Sequence, residues 1–336
     1  MAKKFNIGFS YNYDRHRTVE ELEFDTTVTL LGIRDAILEG PYCKDVFCIE
    51  CDRDVYKKLL KLKDKIDIIF NIAEGYSGSD SRESIFPIFF ELLGIPYSGS
   101  GPETLALTLN KDASKKICKY NNIPTPRFQA FSDMEDLKEF DLDFPVIVKP
   151  VHEGTSKGIT NDSYVENFEN LKQKVQYILE TFKEPAQVEE YIDGRELSVG
   201  ILGNDPYIIF QPTEVDFNTF PAHLHHFYSL EAKTKYDNPN NMIYPARVTA
   251  EEEQEIKRIA IRAFKAFKCR DFGRCDFRMD QKSNLYVLEM TALPGLSGDP
   301  LENNEFAKAG LAFGFTYTEF INKILNCALK RYDMLD

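Results

Sequence analysis

Short apolar runs of strand length alternate with helix-length amphipathic segments through the first third of this chain, and that alternation restricts its fold more than any other feature. The runs are residues 5–10, 46–49 and 66–71; the helical segments are residues 26–39 and 55–62. Strands joined through helices return to the same edge of a sheet and must run parallel. The expectation is an α/β chain whose first domain, residues 1–107, is a doubly wound parallel sheet. A further helix over residues 82–93 and the turn Gly94-Ile95-Pro96-Tyr97-Ser98-Gly99 complete it. Residues 108–197 then read as an α+β lobe. It has a helix from Asn110-Lys111 to Tyr120, a strand at 146–149, a helix at 167–180 and a strand at 187–191. Residues 198–336 read as a second α+β lobe. It holds a long polar segment at 216–241, an amphipathic helix at 251–267 and a last helix at 318–331.

Composition excludes several functions. The 336 residues carry a formal net charge of −13, which opposes a nucleic-acid backbone or an anionic membrane as partner. No apolar run approaches the roughly 20 residues that span a bilayer, and the N-terminus lacks a signal-peptide core, so a cytoplasmic protein is expected. Seven cysteines, an odd number, fit reduced thiols. Cys48 and Cys51 have C-x-x-C spacing, but no second Cys or His pair stands at a matching distance, and small residues at a strand end explain them.

Chemistry concentrates in two places. Side chains alternate along a strand, so in Arg274-Cys275-Asp276 the charged pair shares a face, as do Glu289 and Thr291 thirteen residues after Asp276. A hairpin aiming two carboxylates and a guanidinium at one point suits a divalent cation beside a group that develops negative charge. Upstream, Val146-Ile147-Val148-Lys149-Pro150 leads into Glu153-Gly154-Thr155-Ser156-Lys157-Gly158, a phosphate-lid pattern. Metal hairpin and phosphate lid in one chain point to ATP chemistry.

In order and spacing, Lys111, Lys149, the 153–158 loop, Glu189-Glu190-Tyr191-Ile192, Gly194-Arg195-Glu196, Lys233, Arg274-x-Asp276 and Glu289-x-Thr291 resemble the ATP-grasp superfamily. Within it the likeness is to D-alanine–D-alanine ligases, carried also by Gly94 to Ser100 and Leu293-Pro294-Gly295, and it spans nearly the whole chain. The resemblance implies a three-domain architecture in which two α+β lobes clasp ATP. It implies that Lys111 and Lys149 bind phosphates, that Glu189, Glu190 and Ile192 edge the adenine, and that Glu196 takes the ribose. Lys233 would reach the transferred phosphate, and Arg274 would stabilise an oxyanion. Ser156 in the lid would join Arg274 and Lys233 as a catalytic residue. Asp276, Glu289 and Thr291 would hold Mg²⁺ or Mn²⁺. Small-molecule carboxylate and amine substrates follow, and a homodimer is a family habit.

Four positions depart from that family's pattern. Thr291 replaces a metal-ligating asparagine, Thr234 the tyrosine after the loop lysine, and Pro300 the serine that anchors the acceptor's carboxylate. Residues 11–16 replace a Glu-Val-Ser stretch. These changes surround the substrate pocket, so an acceptor other than D-alanine is expected. Glu74, at a strand end, and Arg82 are candidates for an amino acid's ammonium and carboxylate, with Gly295 nearby. Glu83 in a first helical turn also suits a solvated cap. His223, His225 and His226 read as lid residues rather than a second metal site. The favoured function is an ATP- and Mg²⁺-dependent carboxylate–amine ligase. Its rivals are a genuine D-alanine–D-alanine ligase, a non-catalytic ATP-binding module and phosphoryl transfer to a small molecule.

Overall fold

The computed structural model describes residues 3–15, 18, 21–76 and 78–335, so His16, part of the departure read at 11–16, lies outside the described residues. Strand β1 (Phe5–Tyr11) lies between β2 (Cys43–Glu50) and β3 (Ile68–Asn71), parallel to both. Phe5, Ile7 and Phe9 are buried on one face, and every residue of β3 is buried, as expected of a sheet covered on both sides. Tyr97 bridges to Ile69 in parallel and extends this sheet. The crossovers are α1 (Thr27–Glu39) and α2 (Val55–Leu62). Helix α3 (Ile85–Leu92) follows a single 3₁₀ turn at Arg82–Ser84.

Helix α4 (Pro102–Leu109) has no counterpart among the sequence expectations; it opens on a proline, whose missing N–H costs nothing at the first helical position. Helix α5 (Lys111–Tyr120) starts on Asn110, whose side chain accepts the Ala113 N–H. Lys111 and Lys115 lie four residues apart on its buried face. A helix that buries two lysines is arranged around their charges.

The central sheet is antiparallel, in the order β4 (Phe128–Phe131), β7 (Ala186–Glu190), β5 (Val146–Pro150), β6 (Tyr164–Val165). Leu171, Val175 and Ile178 of α6 (Phe168–Thr181) fill its core face. The third sheet is also antiparallel. Its order is β11 (Met242–Ile243), β10 (Thr213–Val215), β8 (Gly194–Leu202), β12 (Phe272–Asp280), β13 (Leu285–Thr291), with β9 (Ile208–Ile209) on β8. Helices α7 (Leu230–Thr234), α8 (Ala250–Ala266), α9 (Glu305–Ala312) and α10 (Tyr317–Arg331) complete the chain. One hydrophobic cluster runs from β1 and α1 through β8 and β12 to α10. No helix among the described residues is long and apolar enough to cross a membrane.

Candidate active site

The β12–β13 register places Arg274 opposite Thr291 and Asp276 opposite Glu289, so all four share one face of the hairpin. The register shifts immediately after Asp276, which confines the alignment to these two pairs. Arg274 donates from Nε and one terminal nitrogen to the two Asp276 oxygens, at 2.8 Å each, and from the other to Glu305 Oε2 at 3.1 Å. Those bonds use three of its five N–H groups and leave two directed elsewhere. Burial pushes the Asp276 carboxyl up, with Glu289 and Glu305 adding to it and Arg274 opposing. Glu289 shifts the other way: its burial is outweighed by Lys111, Arg274, Lys149 and Lys233.

A cleft of about 110 Å³ runs between the central and third sheets, with Ile147, Ile159, Phe227 and Leu288 as apolar walls. Lys111, Lys149 and Lys233 reach it, as do Glu189, Glu196 and Ser156. Lys149 pairs with Glu189, and Lys115 reaches the same carboxylate at 2.9 Å. Burial would raise the Glu189 pKa, but the two lysines pull it down to about 2. Lys115 also donates to Thr125 Oγ1 and to the Val287 carbonyl. Lys111 donates to the Glu153 carbonyl, and its burial lowers its pKa against the pull of Glu289. Glu190, expected at the adenine, lines the cleft and pairs its carboxylate with Arg127 at 3.3 Å. The Ile192 carbonyl and Glu196 both accept from Arg278, at 2.9 and 3.2 Å, so Arg278 ties this edge of the cleft to β12.

The 153–158 loop and the long 216–241 segment are joined to each other. Ser156 Oγ donates to the Tyr228 carbonyl at 2.9 Å, and the Leu230 N–H donates to the Ile159 carbonyl. Lys233 lies over the Tyr228 ring, 4.9 Å from its centroid. The three histidines stack rather than converge: His225 on Tyr164, His226 on Phe217, and His223 edge-on to Tyr236. Thr234 spends its hydroxyl on the Leu230 carbonyl.

A larger cavity, about 400 Å³, opens from the cleft and shares Lys111, Lys233, Arg274 and Glu289 with it. Glu74 and Gly295 line it, while Arg82 does not. The Arg82 guanidinium is taken by Glu23, at 2.7 and 3.0 Å, and by the His152 carbonyl. Burial, Glu83, Glu23 and Asp25 push Glu74 well up, against Arg82. Pro300 is exposed and does not line the cavity; a serine three residues before it, Ser297, does, and accepts from Thr29 at 3.1 Å. Lys115, Arg278, Glu305 and Glu23 went unnoticed in the sequence. Only Lys115 carried a local signal, its spacing from Lys111; the other three are brought to the site by tertiary packing.

The donor set suits a hard cation in part. Among the described residues no three Asp, Glu, His or Cys side chains cluster tightly enough to hold a metal alone. Asp276, Glu289 and the Thr291 hydroxyl offer oxygen from one face. Mg²⁺ is commonly held by one or two carboxylates plus phosphate oxygens and water, which matches this arrangement. Lysines on the facing elements supply what a polyphosphate requires.

A family model described as "D-ala D-ala ligase C-terminus" matches residues 116–326. The chain is 34% identical over 265 residues to an uncharacterized protein, y4sG, of Sinorhizobium fredii, covering 79% of this chain and 75% of that one. It is 32% identical over 305 residues to a D-alanine–D-alanine ligase of Carboxydothermus hydrogenoformans, covering 88% and 90%. Among solved structures, the ATP-complexed D-alanine–D-alanine ligase of Bacillus anthracis superposes with a TM-score of 0.73 at 20% identity, over 98% of this chain and 99% of that one. The VanG D-Ala:D-Ser ligase of Enterococcus faecalis gives 0.71 at 20% identity, over 97% and 100%. These two likenesses establish the fold. Fold and site together define an ATP-grasp enzyme, an ATP-dependent ligase. Within that class the chain belongs to the D-alanine–D-alanine ligase family.

Proposed function

We propose that this protein joins a small carboxylic acid to an amine other than D-alanine, through an acyl phosphate, with release of ADP and phosphate. The observation that carries this reading is the shared face of Arg274, Asp276, Glu289 and Thr291, set against Lys111 and Lys233 where cleft and cavity meet. A carboxylate resists an amine because its leaving group would be oxide; phosphorylation supplies a leaving group. Lys111, Lys149 and Lys233 would neutralise the phosphates, and positioning and neutralisation dominate phosphoryl transfer. Mg²⁺ or Mn²⁺, when bound by Asp276, Glu289 and Thr291, would supply Lewis-acid charge between phosphate oxygens. The two uncommitted Arg274 N–H groups would receive the oxyanion that forms when the amine attacks. Ser156, by holding the lid to the 216–241 segment, would keep water from the acyl phosphate. The reading places the protein in the cytoplasm, where ATP is plentiful.

The departures at Thr234 and Thr291 support an acceptor other than D-alanine; Pro300, outside the cavity, does not bear on it. A genuine D-alanine–D-alanine ligase is the second reading, favoured by the 32% identity to a protein of that name over 88% of the chain. The test is ADP release from purified protein with Mg-ATP and pooled amino acids and carboxylates, with products identified by mass. D-alanyl-D-alanine from D-alanine alone would establish the second reading. Arg274→Ala should lower kcat by about 10²- to 10³-fold while ATP binding persists. Near-normal turnover in that variant would remove Arg274 from the chemistry.

A further inference from the structure

Lys115 is enclosed in the core, 1% exposed, and lines neither the cleft nor the larger cavity. Three acceptors surround its Nζ: Glu189 Oε2 at 2.9 Å, Thr125 Oγ1 at 2.8 Å and the Val287 carbonyl at 3.1 Å. Only an ammonium has three N–H groups to give them, so the side chain is charged where it lies. Burying that charge costs free energy that an apolar residue of similar volume would avoid. The strand contact does not account for it. Thr125 already donates to the Val287 carbonyl at 2.7 Å, and the Val287 N–H donates to the Pro124 carbonyl at 2.8 Å.

What the ammonium alone supplies is charge at Glu189. That carboxylate lines the cleft, and its other oxygen pairs with Lys149, which faces the same space as Lys111 and Lys233. With one lysine, Lys149 and Glu189 would form a neutral pair, and an incoming phosphate would meet a cancelled charge. With two, the trio is net positive, and of its cations only Lys149 lines the cleft. The enclosed surroundings screen this difference far less than water would. Lys111 and Lys115, four residues apart on the buried face of α5, thus deliver one cation into the cleft and one behind it.

We propose that Lys115 is a positioning residue for the nucleotide's phosphates. It offsets the Glu189 carboxylate from behind, so that Lys149 is held in place by that carboxylate and yet keeps its positive charge for the phosphates. This inference rests on the reading of Lys149 as a phosphate-binding lysine. Its effect is confined to the phosphate-dependent part of nucleotide affinity. Adenosine carries the same base and ribose without a phosphate, and does not draw on it.

The test measures binding of Mg-ADP and of adenosine to the full-length protein by calorimetry and takes the ratio of the two affinities. Lys115→Met should reduce the preference for Mg-ADP about 10-fold or more while adenosine affinity barely changes, since close charge pairs contribute strongly to affinity. Lys115→Gln keeps an amide N–H for Thr125 or Val287 and drops the charge; it should do the same, and serves where the methionine variant does not fold. Glu189→Gln added to either variant should restore most of the preference, because Lys149 then has no anion to cancel it. A lysine that only packs the core would lower both affinities together, and no change at Glu189 would alter their ratio; that result overturns the proposal. Lys149→Met separates this inference from the reading beneath it. If that variant leaves the ratio as in the wild type, the phosphate role of Lys149 fails and the proposal falls with it. If it lowers the ratio while both Lys115 variants do not, the proposal alone fails and the phosphate role of Lys149 stands.

Discussion

Glu189 shows how a residue can be legible in the sequence while its charge partners are not. Its place in Glu189-Glu190-Tyr191-Ile192 marked it for the adenine, and in the cleft its carboxylate lies between Lys115 and Lys149. The pair has a measurable consequence. Its folded pKa, about 2, lies below the ordinary value of 4.5, so the stabilisation is present above pH 4.5 and is lost as pH falls towards 2. That shift corresponds to about 3 kcal/mol. Glu189→Gln should therefore destabilise the protein at pH 7 and flatten its acid unfolding between pH 4.5 and 2, read by thermal melts across pH. An unchanged acid slope would mean that the two lysines do not hold this carboxylate in solution. Arg274, Asp276, Glu289 and Thr291 were readable because strand alternation is local. Arg278, Glu305 and Glu23 were not, since each acts through a partner at least 31 residues away in the chain.

At the level of elements, the lid is built as a tight turn. The Lys157 N–H donates to the Gly154 carbonyl at 2.9 Å, and both central residues, Thr155 and Ser156, have positive φ, 47° and 57°. Non-glycine residues there cost on the order of 1 kcal/mol each, the kind of strain that persists at working sites. Gly154 is required for a different reason: a Cβ would stand 2.0 Å from Glu23 Oε1. Gly154→Ala should displace Glu23 from Arg82 and shift the whole lid, lowering kcat/KM by about 10²-fold, as misplacements near 1 Å do. The protein's Tm should change far less. Wild-type kinetics would show the lid to be tolerant of that displacement. Helices α4 and α9 escaped the sequence reading because both begin among turn-forming residues. The strand–helix alternation of residues 5–93 was read correctly because each period repeats over several residues.

Across the whole molecule, the first sheet is tied to the third by one buried carboxylate. Asp271, fully buried, accepts two bonds from Arg331 at 3.0 and 2.7 Å, one from the Gly99 N–H and one from Asn204. Arg331 in turn donates to the Tyr97 carbonyl at the edge of the first sheet. Asp271→Ala leaves that guanidinium without its carboxylate and should cost about 3–5 kcal/mol in global stability, measured by denaturant unfolding. A loss under about 1 kcal/mol would show that the hydrophobic cluster alone unites the two sheets. By itself the sequence determined most element types, the family and the shared face of Arg274, Asp276, Glu289 and Thr291, because period, spacing and motif order are properties of neighbours along the chain. Only the tertiary structure decided which charges are spent on one another and which remain for a ligand. Arg82 and Lys157 reach across from separate segments to neutralise Glu23, while Lys111, Lys233 and Arg274 gather at one cavity from three separated positions. Electrostatic energy depends on distance through space, and linear order does not encode it.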